Sequence, residues 1–231
     1  MTIVKSKLII TFIASLFLFA CNSNQLIDQP KFILEIPDTS KTHRPDIFYE
    51  VKKNAVDELS LNVLENGTDS FELRLWAKVE VLTGGQVFVI KKIKNKWTCM
   101  HYEYIETEGK FNPDLYKLLT SFTIDTFWVN KLQPKTNWDN FFKAIEKENM
   151  YNLPVQSEIS GWKSNVGDGY TYYVEYATNN KYKFYYYNCP DVYENDFKEC
   201  KQMTNILDIF HKEFGLSMGF EEYGYDSYRC K

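Results

Sequence analysis

The clearest pattern in the chain is an alternation. Phe71, Leu73, Leu75, Ala77, Val79 and Val81 are apolar, with Glu72, Arg74, Lys78 and Glu80 between them. A period of two with one apolar face predicts a half-buried strand. Gly84-Gly85 predicts a turn, Val87–Ile90 the start of a second strand, and Lys94-Asn95 the turn into a third across Trp97–Ile105. These three form a meander. A further strand is expected over Thr123–Leu132, stopped by Pro134, and FILEI at 32–36 is a candidate first strand. Tyr170–Tyr176 and Tyr182–Tyr187 read as a hairpin with Asn179-Asn180 at its tip, because Asn tolerates the positive φ of tight hairpin turns.

Helical spacing shows in two places. Trp138, Phe141, Phe142 and Ile145 form one apolar stripe behind Asn137, a candidate N-cap, in a helix running to about Glu148. Phe197, Cys200, Met203, Leu207, Phe210 and Phe214 are spaced three or four apart, with His211 and Lys212 in the last turn and Gly215 as the stop. Its start is open between an Asp191–Glu194 capping box and a cap at Asn195. Residues 50–65 hold a short helix of poor periodicity. The expectation is an α+β domain, an antiparallel sheet of meander and hairpin strands backed by two or three helices.

The first twenty residues read differently. Lys5 and Lys7 precede thirteen uncharged residues, Leu8–Ala20. That run is shorter than the about twenty residues a membrane-spanning helix needs, and suits a secretory signal. Leu18-Phe19-Ala20-Cys21 resembles a bacterial lipobox. The resemblance implies a signal peptide over 1–20 and a lipidated, palmitate-type anchor on Cys21, which becomes the mature N-terminus. Two or three acyl chains anchor stably. Asn22 lacks the acidic character that resembles an inner-membrane retention signal. The expected address is therefore the outer membrane, facing the periplasm, with surface exposure left open. A polar tether over 21–46 would lead into a single domain at 47–231.

Further along, ELRLW (Glu72–Trp76), the Leu153-Pro154 helix end and DGYTYYVEY (Asp168–Tyr176) resemble parts of bacterial envelope lipoproteins of unknown function. That resemblance implies no catalytic or binding residues.

Charge and composition then narrow the chemistry. Among 231 residues, 27 Lys+Arg against 31 Asp+Glu give −4. That balance argues against nucleic-acid binding, which favours a basic domain. Cys99, Cys189, Cys200 and Cys230 remain after Cys21, an even number in an oxidising compartment, so all four are disulfide candidates. Their connectivity stays open, with Cys200 on an apolar helix stripe and Cys230 placed to pin the tail. No pair has metal-ligand spacing. His43 falls in a polar loop. His101, two residues from Cys99, is a strand neighbour before it is a catalytic partner. Asp208 and His211 lack a third ligand. No metal or cofactor is expected, and no catalytic motif of the nucleophile-elbow, zincin, Walker or dinucleotide type occurs. Lys91, Lys92, Lys94 and Lys96 make a basic hairpin edge, a guard against sheet aggregation or an attraction to anionic headgroups.

The one local excess is tyrosine: eight of the seventeen lie between Tyr170 and Tyr187. With a two-residue turn, Tyr172 opposes Tyr187 on one face and Tyr173 opposes Tyr186 on the other. Tyr172, Tyr185 and Tyr187, or Tyr173, Tyr182 and Tyr186, form a candidate binding face for a protein or saccharide partner, tyrosine giving large contact area at low entropy cost. The alternative is a periplasmic hydrolase using a carboxylate pair that the sequence does not single out.

Overall fold

The structure is a computed structural model that describes residues 31–37, 47–79, 84–107, 123–163, 169–217 and 229–230. The signal segment, Cys21 and His43 lie outside the described residues. From Phe32 onward the chain forms one compact unit. Its strands are β1 (Ile33–Glu35), β2 (Phe71–Val79), β3 (Gly84–Ile93), β4 (Lys96–Thr107), β5 (Thr123–Leu132), β6 (Tyr170–Thr178) and β7 (Lys181–Asn188). Its helices are α1 (Ile47–Glu58), α2 (Trp138–Lys147) and α3 (Lys198–Phe214). The strands form one seven-stranded sheet in the order β1-β7-β6-β2-β3-β4-β5. Every neighbouring pair is antiparallel except β1–β7. The α+β class holds, as a mixed sheet with helices on both of its faces.

One face is packed by α2 and α3. Leu73, Leu75, Ala77, Phe88 and Ile90 of the sheet meet Phe141, Ile145, Met203, Leu207 and Phe210 in one apolar cluster. Asn137 caps α2 at φ −160°, its side chain accepting from the Asn140 N–H at 2.9 Å. The cap satisfies one of the donors a helix start leaves without an internal partner. Gly215 ends α3 at φ 79°, its N–H on the His211 carbonyl at 2.9 Å. Only a residue without Cβ enters that region freely.

The other face is covered by α1. Ala55, Val56, Leu59 and Leu64 pack on Trp76, Val87, Val89, Tyr173, Ala177 and Phe184. The alternation of β2 therefore does not mark a solvated side: Glu72 is 2 %, Arg74 0 % and Lys78 7 % exposed.

Several local expectations are corrected. The 32–36 segment belongs to the folded unit rather than to a tether, since β1 pairs in parallel with β7. Gly84 and Gly85 open β3 instead of forming the turn. A Cβ on Gly85 would sit 2.6 Å from the Tyr104 hydroxyl, so close approach explains that glycine. The hairpin register holds, Tyr172 opposite Tyr187 and Tyr173 opposite Tyr186. Positive φ occurs at Lys94 (47°) and Asn95 (63°) and not at Asn179-Asn180. A 3-10 turn over Pro190–Tyr193 takes the place of either proposed start for the last helix, whose N-cap is Phe197 with no side-chain bond. The Lys94-Asn95 hairpin joins two interior strands, so its lysines do not line a sheet edge.

Candidate functional site

The tyrosine hairpin is core on both sides. Tyr172, Tyr185 and Tyr187 face α2 and α3 at 1 % exposure or less, and Tyr173 and Tyr182 face α1 at 3 % and 0 %. Tyr186 is half-buried. The hydroxyls are used internally: Tyr185 donates to the Met150 carbonyl at 2.7 Å, and Tyr182 to Glu175 Oε2 at 2.9 Å. Period two distributes side chains to two faces, but it does not say that a helix covers each. Neither set of tyrosines is an open platform.

Beneath α1 the sheet holds an ion-pair network. Arg74 contacts Glu175 at 2.9 Å and Glu72 at 2.6 Å. Lys52 contacts Glu175 at 3.1 Å and Glu65 at 2.8 Å, and Lys91 contacts Glu72 at 3.0 Å. Three cations thus meet three carboxylates. Tyr182 and the Trp76 indole N–H, at 3.3 Å, add bonds to Glu175. Burial raises the pKa of Glu175, but Lys52 and Arg74 reverse this and hold it below the usual carboxylate value. A carboxylate kept charged in this way is an acceptor in a scaffold, not a proton donor.

Cys99 and His101 do share a face, as the spacing implied, but with the wrong electrostatics for a nucleophile and base. Burial pushes the Cys99 thiol up to about 12 and His101 down to about 4. A reactive pair needs thiolate character. His101 instead stacks on Phe88, ring centres 4.3 Å apart, and bonds Gln86 at 2.9 Å. Asp208 is taken by Arg229 at 2.5 Å, and His211 Nδ1 lies 2.6 Å from the Leu216 carbonyl oxygen. Among the described residues no group of three potential ligands is placed to hold a metal ion. Cys189 bonds Cys230 across a Cα separation of 5.5 Å, and Cys99 and Cys200 are free and buried. Burial also pushes the Cys200 thiol up to about 12.

A cluster of aromatic and charged residues lies elsewhere, where α2 crosses the β3–β4 hairpin. A cleft of about 430 Å³ is lined by Phe71, Trp97, Phe142 and Tyr151, with Lys92, Asp139, Lys143 and Glu146 at its rim. The four aromatic residues are half-buried, and Asp139, Lys143 and Glu146 are exposed. Phe71 stands edge-on to Trp97, Phe142 and Tyr151 at 5.5, 5.8 and 6.0 Å. Trp97 lies 4.2 Å from Phe142, and Trp138 stacks behind Trp97 at 6.0 Å. The Lys92 ammonium sits over the Trp97 ring at 5.2 Å. Apolar rings with a few charged groups at the edge are the usual make-up of a small-ligand cleft. Asp139 and Glu146 are two helical turns apart, about 10.5 Å along the axis.

The sequence showed these residues one at a time. Trp138 and Phe142 stood out as part of a helix stripe and Trp97 as part of a strand. No spacing rule links positions 71, 97, 142 and 151. The available signal was the Trp138/Phe142 side of the α2 stripe, which makes that stripe wider than a core contact needs.

No protein-family model, curated protein or solved structure matches the chain.

Proposed function

We propose that this chain is a lipid-anchored protein of a bacterial cell envelope, periplasm-facing at the outer membrane, that binds a wall saccharide without chemical conversion. The cleft of Phe71, Trp97, Phe142 and Tyr151 carries the reading. Sugar rings present an apolar C–H face that packs on aromatic faces, while their hydroxyls reach carboxylates and ammonium groups at the edge. Two further observations support the address. Leu18–Cys21 resembles a lipobox, with Phe19 in place of the usual smaller residue, and the Cys189–Cys230 disulfide suits an oxidising compartment.

Co-sedimentation of the full lipidated protein, in detergent, with purified peptidoglycan sacculi tests this. The wild type should pellet with the sacculi, and Trp97→Ala and Tyr151→Ala should stay in the supernatant. Asp139→Ala with Glu146→Ala changes only exposed positions and should weaken retention without altering the melting temperature. A wild type that never pellets, or variants that pellet equally, would overturn the saccharide reading.

A further inference from the structure

The sheet and the end of α3 enclose another cavity, of about 250 Å³. Strand register builds its floor. Gln86 of β3 lies opposite Glu103 of β4, and Glu103 lies opposite Trp128 of β5. His101 is two residues from Glu103 and opposite Phe88, so all of these side chains stand on the α3 side of the sheet. Gly215 and Ser217, at the stop of α3 and just beyond it, complete the wall. Gly85 of this cavity and Lys92 of the aromatic cleft are seven residues apart on β3, about 23 Å at strand rise.

Hydrogen bonds fix which atoms face the space. Gln86 is 7 % exposed, and its amide N–H donates to the Ser217 carbonyl. That turns the amide oxygen to His101 Nε2, 2.9 Å away, so Nε2 carries the ring proton and donates it. Stacking on Phe88 holds the ring in plane. Burial pushes its pKa down to about 4, so the imidazole is neutral at pH 7 and Nδ1 keeps its lone pair. Nδ1 lies 3.5 Å from Glu103 Oε1, a second acceptor. Among the described residues no donor stands between them, and no Lys or Arg lines the cavity.

We propose that this cavity binds a small organic ammonium ion, which donates N–H groups to His101 Nδ1 and Glu103 Oε1 and rests its carbon body against Trp128. Two converging acceptors, one of them charged, ask for a cationic donor. The Trp128 ring attracts a cation at its face. An anion would meet the Glu103 carboxylate with no cation to offset it. A metal ion would need a third protein ligand, and among the described residues none is placed. The volume holds about eight water-sized groups at ~30 Å³ each, a small molecule taken whole and not a glycan. The site is independent of what the aromatic cleft binds.

Titration of the full chain in non-ionic detergent, followed through the Trp128 indole N–H signal and assigned with Trp128→Phe, tests this. The probes are butylammonium chloride, its neutral match 1-butanol, sodium butanoate and zinc chloride. Butylammonium should shift the Trp128 signal saturably, and the other three should not. Glu103→Gln removes the charge at a half-exposed position and should weaken butylammonium binding roughly tenfold, the loss of a hydrogen bond to a charged group. An unmoved Trp76 signal in that variant shows that the core is intact. A Trp128 signal that butylammonium leaves fixed would overturn the proposal. So would an equal shift with 1-butanol, a shift with zinc chloride alone, or an affinity unchanged by Glu103→Gln.

Discussion

At the scale of single residues, burial assigns different values to chemically identical groups. Tyr182 and Tyr187 are both fully buried. Tyr182 donates to Glu175 and lies 3.2 Å from the Lys52 ammonium, whereas the Tyr187 hydroxyl has no hydrogen-bond partner among the described residues. Removing a hydroxyl bonded to a charged partner costs about 1.5–3 kcal/mol, while removing one that is buried without a partner is neutral or stabilising. Tyr182→Phe should therefore lower the midpoint of urea unfolding, and Tyr187→Phe should leave it unchanged or raise it. Equal losses in the two variants would contradict this account of the hairpin. The same contrast explains why the tyrosine excess misled. Residue type and period identified the hairpin and its register, but hydroxyl partners such as the Met150 carbonyl and the Lys52 ammonium come from segments the local pattern does not reach.

At the scale of elements, legibility followed how cleanly an apolar stripe was separated from polar positions. The α3 stripe was readable because Cys200, Met203, Leu207 and Phe210 recur at helical spacing, and all four are buried against the sheet. Leu207→Asp would place an unpaired carboxylate in that contact and should cost several kcal/mol, enough to unfold a domain of ordinary stability. A melting curve that matches the wild type would show that α3 does not hold the sheet. Helix α1 was poorly readable for the opposite reason. Its inward side includes Lys52, 2 % exposed, and the strand positions beneath it are Arg74 and Glu175. Charges that neutralise one another inside the protein have the same sequence signature as charges in water. The β5 strand was read with its ends in place, Thr123 and Leu132, with Pro134 as its stop. Its position at the sheet edge depends on topology, which no local pattern contains. The aromatic cleft escaped for the same reason: it joins the start of β2, the β3–β4 hairpin, α2 and the segment after it.

At the scale of the whole molecule, a sheet covered on both faces over its central strands leaves function to the rims and edges. The sealing also sets the response to acid. His101 is held neutral by burial, its pKa pushed down from 6.5 to about 4, and Glu103 nearby is 54 % exposed and too screened to offset this. The unfolded chain therefore takes up a proton that the folded chain refuses. This contribution is complete above pH 6.5 and is lost as pH falls toward 4, at up to about 1.4 kcal/mol per pH unit. The lowered Glu175 acts in the same sense at lower pH, its contribution present above the ordinary 4.5 and lost below it. Unfolding free energies at pH 7 and pH 5 should differ more for the wild type than for His101→Gln. Equal differences would mean that His101 is not shielded.

The central claim is that the half-buried aromatic cleft, not the tyrosine hairpin, meets the ligand. The five tryptophans give five indole N–H signals distributed over the molecule: Trp76 in the core, Trp97 in the cleft, Trp138 stacked behind it, Trp128 on the β5 edge and Trp162 against Tyr193. The most direct measurement is a nitrogen–proton correlation spectrum of the indoles, assigned by single Trp→Phe variants, during titration with soluble peptidoglycan fragments. The account predicts a saturable shift of the Trp97 signal, a smaller one of Trp138, and none at Trp76, Trp128 or Trp162. A Trp97 signal that stays fixed while fragments are added in excess, or shifts confined to the other indoles, would contradict it.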